Sequence, residues 1–177
     1  GKIGWAPTNG SLHAHVSALR HTWGEEKTKE WMKAIEANAP TRYPKNSPQV
    51  AAANEGAIEL GWVNHYYLHR LDKEGRTAKN WSFPVDGDAG NMLMVAGVGI
   101  RKGSQKTEAA QAFIDWLVSE SSQTYFAQQG YEYPTRIGVS THADVPALSP
   151  TQLLDVDQSH LADLGPTREM LKELGLL

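Results

Sequence analysis

The feature that most limits the fold is a change of pattern near the start of the chain. Lys2 to Ala6 is a short run suited to a strand, and Pro7-Thr8-Asn9-Gly10-Ser11 is a cluster of turn formers. Beyond it Leu12, Val16 and Leu19 recur at helical spacing, with Ser11 placed to cap the helix. The alternation then continues. Gly24 separates off a second helix, about Glu25 to Ala37, with Trp31, Ala34 and Ile35 on one face and Glu26, Lys29, Glu30 and Lys33 on the other. Pro40 to Pro44 is a connection. Asn46-Ser47-Pro48 opens a short helix to Glu55, a polar cap followed by proline in the first turn, where its missing N–H costs nothing.

A strand is expected over Ile58 to Val63, and another over Met92 to Ile100, whose near-continuous apolar character suits burial on both faces. Gly103-Ser104-Gln105-Lys106 starts a helix carrying Ala109, Ala112, Phe113, Trp116 and Leu117. A shorter helix follows to Gln129, and Gly165-Pro166-Thr167 opens a last amphipathic one with Met170, Leu171 and Leu174. Strands alternating with helices imply an α/β fold with a largely parallel sheet.

Composition narrows the function. At 177 residues the chain can bury one good core or two small lobes. A formal net charge of −3 with mixed signs argues against nucleic acid or an anionic membrane as the main partner. No apolar run approaches the ~20 residues of a membrane span. Gly1-Lys2-Ile3-Gly4-Trp5 has neither the apolar run nor the cleavage pattern of a signal peptide. The absence of cysteine excludes disulfides, thiolate metal sites and cysteine nucleophiles.

The chemistry-bearing stretch is Val63-Asn64-His65-Tyr66-Tyr67-Leu68-His69-Arg70-Leu71. A phenol, with an ordinary pKa near ~10, is a poor neutral ligand. Deprotonated by a strongly charged metal ion, it becomes a hard anionic oxygen donor, and ferric iron is the obvious candidate. The alternative is ordinary packing, one ring in the core and one at the surface. Successive helical residues point about 100° apart, so Tyr66 and Tyr67 can share an ion only near a helix start or in irregular backbone. Their position just after a strand supplies that condition, where open α/β sheets place ligands. Thr8-Asn9-Gly10-Ser11 is a second candidate, because a helix N-terminus offers unpaired N–H groups to a small anion. It also reads as a plain helix cap, as does Asn46-Ser47. His65 and His69 stand four apart and His13 and His15 two apart, spacings that make a divalent-metal site conceivable. His13 and His15 would, however, point to different sides of a helix, and the catalytic glutamate of the zinc-protease pattern is lacking, which favours surface or capping roles. No phosphate loop, GxSxG elbow or paired-carboxylate signature accompanies them, and the chain reads as a non-enzyme.

Taken together, GKIGWAPTNGS, YPKNS, GAIELGWVNHYYLHRL, DAGNMLMVAGVGIRKGSQ, AAQAFIDWLVSESSQ and YEYP resemble the bacterial ferric-ion-binding proteins over essentially the whole chain. These are the iron receptors among the family 1 extracellular solute-binding proteins of ABC importers. The resemblance implies a periplasmic-binding-protein-like lobe of type II, with a mixed, mostly parallel sheet flanked by helices. It implies Fe³⁺ held by Tyr66 and Tyr67 as paired tyrosinates in an interlobe cleft. Asn9, Gly10 and Ser11 match the loop for a synergistic anion, carbonate or phosphate, and Asn46 and Asn64 match the asparagines that orient it. Family members are nearly twice as long. The chain is therefore expected to be the carboxyl-terminal lobe, with the amino-terminal lobe largely missing.

On that reading residues 1–93 form the lobe core and 94–130 cross over to complete the missing lobe. Residues 131–177 return to pack on the carboxyl-terminal lobe. The implied partners are ABC permease subunits and the missing lobe, and the implied location is periplasmic or extracellular, with lipid anchoring in some settings. The crossover strand and the Phe113/Trp116/Leu117 face would lack their native partners, which leads to an expected homodimer or arm exchange. The competing readings are a receptor for another small solute, such as a phosphonate, thiamine or a polyamine, and a histidine-metal hydrolase.

Overall fold

The computed structural model describes residues 1–177, which divide into two compact units, Gly1–Met94 with Pro150–Leu177, and Val95–Ser149. The first unit is built on a three-stranded sheet. β1 (Ile3–Trp5) lies in the middle, with β2 (Thr41–Arg42) on one side and β3 (Leu60–Gly61) on the other. Both pairings are parallel, Gly4 facing Thr41 in one and Gly61 in the other. Parallel neighbours need crossovers. The first runs through α1 (Gly10–Trp23) and α2 (Glu25–Ala37), and the second through α3 (Asn46–Asn54).

One face of each long helix explains the core. Leu12 and Val16 from α1 and Met32 from α2 pack with Trp5, and α6 (Gly165–Glu173) supplies Met170 and Leu171, followed by Leu176. Trp31, Ile35, Trp62 and Leu174 close over this cluster. The closing segment thus completes the core of the unit that opens the chain.

Several details differ from the sequence reading. The cap of α1 is Asn9, whose side chain accepts from the Ser11 N–H at 2.8 Å, so Ser11 lies inside the helix. α3 begins at Asn46 itself and has no side-chain cap bond. β2 was read as a connection and is a strand of two residues, held by the Tyr43 N–H to the Trp5 carbonyl at 2.8 Å. Met92 to Ile100, expected as a buried strand, is irregular, with Val95 57% and Val98 53% exposed. Apolar residues favour a strand only where a neighbouring strand takes up the N–H and C=O groups, and none runs beside this one.

The second unit contains α4 (Thr107–Leu117) and α5 (Glu120–Gly130). Ser119 caps α5 by accepting from the Ser122 N–H, and Tyr131 ends it in the left-handed conformation. Gln123 ties the unit together: its amide donates to the Leu117 carbonyl and its oxygen accepts from the Thr135 N–H and hydroxyl. α4 is amphipathic but buries none of its residues, and Phe113 and Trp116 stack with centroids 5.7 Å apart while more than half exposed.

Candidate functional site

The site grows from two chain segments that leave the sheet. β1 runs into the Pro7–Asn9 turn and the first turn of α1. β3 runs through Trp62 and Val63 into a 3₁₀ helix, His65–Arg70, preceded by Asn64. Both lie beyond the carboxyl ends of parallel strands, where helix starts direct N–H groups toward a common crevice.

Tyr66 and Tyr67 occupy the first turn of the 3₁₀ helix. Their rings are in contact, tilted 31° with centroids 4.7 Å apart. The Asn64 amide donates to the Tyr66 hydroxyl at 3.0 Å and also reaches Ser11 Oγ at 3.4 Å. Asn64 therefore links the phenol pair to α1. Asn9 shapes the same turn of α1 through its cap bond, and a Cβ built on Gly10 would meet no atom within 4 Å. Space at Gly10 is thus open to a ligand. The first turn of α1 carries no acidic residue to compete with an anion.

Asn46 makes no direct hydrogen bond to these groups. It is 3% exposed, its oxygen accepts from Gln49 Nε2 at 3.3 Å, and its Nδ2 has no partner. An unpartnered buried amide donor is costly unless something accepts from it. Gln49, fully buried, accepts in turn from the Trp62 N–H at 3.2 Å. Asn46 is thereby joined to the tyrosine-bearing segment through Gln49.

Three contributors take roles that their sequence positions do not announce. The Arg70 guanidinium lies 4.4 Å from the Tyr67 ring centroid and 5.3 Å from that of Tyr66, a cation–π clamp on both rings. Its spacing, four and three residues beyond the tyrosines, was the available signal. Gln49 carried no signal, since its role depends on the fold. His15, expected at the surface or in a cap, is instead half-buried and bonded through both ring nitrogens. Its Nδ1 accepts from the Trp62 indole N–H at 2.8 Å and its Nε2 donates to the Ala89 carbonyl at 2.6 Å. Burial lowers its pKa below the usual imidazole value, against the opposing pull of the Ala89 carbonyl.

The remaining histidines do not assemble a metal centre. His13 Nε2 bonds the Pro7 carbonyl at 2.7 Å, and no group of three or more His, Asp or Glu side chains is placed to hold a metal ion. The oxygen atoms that the structure links are Tyr66 Oη and Ser11 Oγ, both within reach of the Asn64 amide.

With this geometry in hand, comparison with known proteins is direct. Residues 1–163 match the family described as bacterial extracellular solute-binding protein, and the chain belongs to that family. It is 30% identical over 182 residues to the Fe(3+)-binding periplasmic protein of Serratia marcescens, covering 98% of this chain and 52% of that protein. It is 34% identical to Iron uptake protein A1 of Synechocystis, covering 85% of this chain and 43% of that protein. The fold superposes on iron-bound HitA from Pseudomonas aeruginosa with a TM-score of 0.90 at 23% identity, over 99% of this chain and 57% of that one. The chain thus spans about half the length of the relatives it matches.

Proposed function

We propose that this chain is the tyrosine-bearing part of a ferric-ion receptor that serves an ABC importer outside the cytoplasmic membrane. The observation that carries the reading is the linked set Tyr66, Tyr67, Asn64 and Ser11. Two phenols in ring contact are tied through one amide to a helix N-terminus. Two tyrosinates and an oxyanion such as carbonate or phosphate balance a trivalent cation. Tyr66 and Tyr67 supply the oxygen ligands. Asn9, Gly10 and Ser11 cradle the anion, while Asn46 and Asn64 offer amide donors that orient it. The relatives named for ferric-iron binding and iron uptake support the same assignment.

The second compact unit, Val95–Ser149, completes a second lobe and the chain returns to the first from Pro150, so a whole receptor closes on the ion by hinge motion and opens at its permease. The open apolar face of α4 fits this, since a second lobe supplies the partner that the helix lacks. Chain 1–177 holds only part of the ligand set, and its affinity is correspondingly lower than that of a complete site. Titration with ferric citrate in bicarbonate buffer tests the assignment. A visible tyrosinate-to-iron absorption band is expected, lost in Tyr66→Phe and in Tyr67→Phe. A band unchanged by both substitutions, or no band at millimolar iron, overturns it.

A further inference from the structure

We infer that His15 and Trp62 form an acid-sensitive latch that holds the tyrosine-bearing segment against α1. The proposal rests on the ferric-site reading for its consequence, and on hydrogen-bond geometry for its mechanism.

His15 stands one helical turn beyond Ser11 and so lies on the same face of α1. Trp62 stands two residues before Asn64 in the segment that leads to the phenols. Two adjacent cross-links therefore join the same pair of elements: Ser11 with Asn64, and His15 with Trp62. The first is long and shared with Tyr66, and the second is short, 2.8 Å, and backed by edge-to-face ring packing at 5.1 Å. Trp62 is packed further by Trp31 of α2, again edge to face.

The bonds fix the tautomer. The indole can only donate, so Nδ1 must carry the lone pair, and Nε2–H then donates to Ala89. Adding a proton puts N–H on Nδ1, so two donors meet head to head. The imidazolium cannot keep both partners, because a ring flip merely exchanges which nitrogen faces the indole. No carboxylate is at hand to welcome the charge. The titratable side chains on the neighbouring segments are Asp86 and Asp88 of the turn that carries Ala89, Glu59 and His65 flanking Trp62, and His13 on α1. His15 bonds none of them, and Asp88 already accepts from the Gly90 N–H.

The sign follows from linkage. Burial keeps the latched imidazole neutral, so the released state binds the proton more readily. The latch is intact above the ordinary histidine range and opens as pH falls through and below about 6.5. Opening frees Asn64 and the tyrosines from α1, so acid weakens the site by a route separate from direct protonation of ligands.

The test has two arms on the 177-residue chain. In the iron-free protein, hydrogen exchange of the Trp62 indole N–H, read by ¹⁵N NMR, is expected to accelerate between pH 7.5 and 5.5 beyond the intrinsic pH dependence. Exchange that stays protected at pH 5.5 overturns the latch. In the second arm, ferric binding is compared in wild type and His15→Phe, which keeps a ring but cannot titrate. The wild-type advantage is expected to shrink about tenfold across this range, one proton being limited to tenfold per pH unit. An advantage equal at both pH values means a purely structural His15 and overturns the proposal. Should iron bind neither protein, the ferric reading fails, and the indole signal alone decides the latch.

Discussion

Gly4 offers the sharpest test of how the sheet is packed, and through it of the platform beneath the site. It sits in the central strand, and a Cβ built there would lie 2.4 Å from Ile58 Cδ1 and 3.0 Å from Tyr43 Cε2. Carbon atoms prefer separations of about 3.5–4.0 Å, so the first contact is over-close by more than an ångström. Ile58 is 2% exposed and cannot swing into solvent. Gly4→Ala therefore forces an unfavourable rotamer or a shift of β1, an overpacking cost of about 1–3 kcal/mol. Gly4 has no positive φ, so the smaller freedom of alanine in the unfolded chain returns about 0.4–1 kcal/mol.

A net loss of about 1–2 kcal/mol is expected. Ile58→Val removes the very atom in the way and costs about 0.5–1.5 kcal/mol alone. The double variant should be no less stable than Ile58→Val by more than a few tenths, a coupling of about 1 kcal/mol. Urea denaturation followed by tryptophan fluorescence reads this, since Trp5, Trp23, Trp31, Trp62 and Trp81 all lie in the unit that holds the sheet. Additive single-variant effects would refute the packing argument.

Two further outcomes concern the cap and the second unit. Asn9→Ala removes the only side-chain bond of the α1 cap and should lower stability by about 1 kcal/mol, whereas Asn9→Asp, which still accepts from Ser11, should lose little. Sedimentation of the chain at low micromolar concentration should show a dimer that dissociates in Phe113→Ser/Trp116→Ser, since both rings are more than half exposed on α4. A monomer in both would show that this face needs no second copy.

How far the sequence disclosed this molecule depends on the range of the physics involved. α1, α2 and α6 were legible because their apolar periodicity and punctuation by Gly24, Gly165 and Pro166 are local. The 3₁₀ turn at the tyrosines was foreseeable only as a need for backbone other than a regular helix. β2 was missed because two residues carry no period, and its pairing with β1 is decided by neighbours far along the chain. Met92 to Ile100 misled for the converse reason: composition signals affinity for a sheet, but a strand exists only where another lies alongside. At the site, Asn64 bonds both Ser11 and Tyr66, and the first of these links spans 53 residues that no local pattern connects. His15 escaped because nothing local tells a surface imidazole from one enclosed between an indole and a carbonyl.

The parallel sheet has a consequence for how the site comes into being. Ile3 pairs with Leu60, and Asn64 meets Ser11 across 53 residues of sequence. Long loops close late, after local helices have formed, because entropy is lost before such contacts repay it. A nascent chain thus acquires α1 and α2 early, while its phenols and the first turn of α1 remain strangers until β3 docks. Ligand cannot guide the assembly from the outset; it can only hold fast a structure that has already found itself.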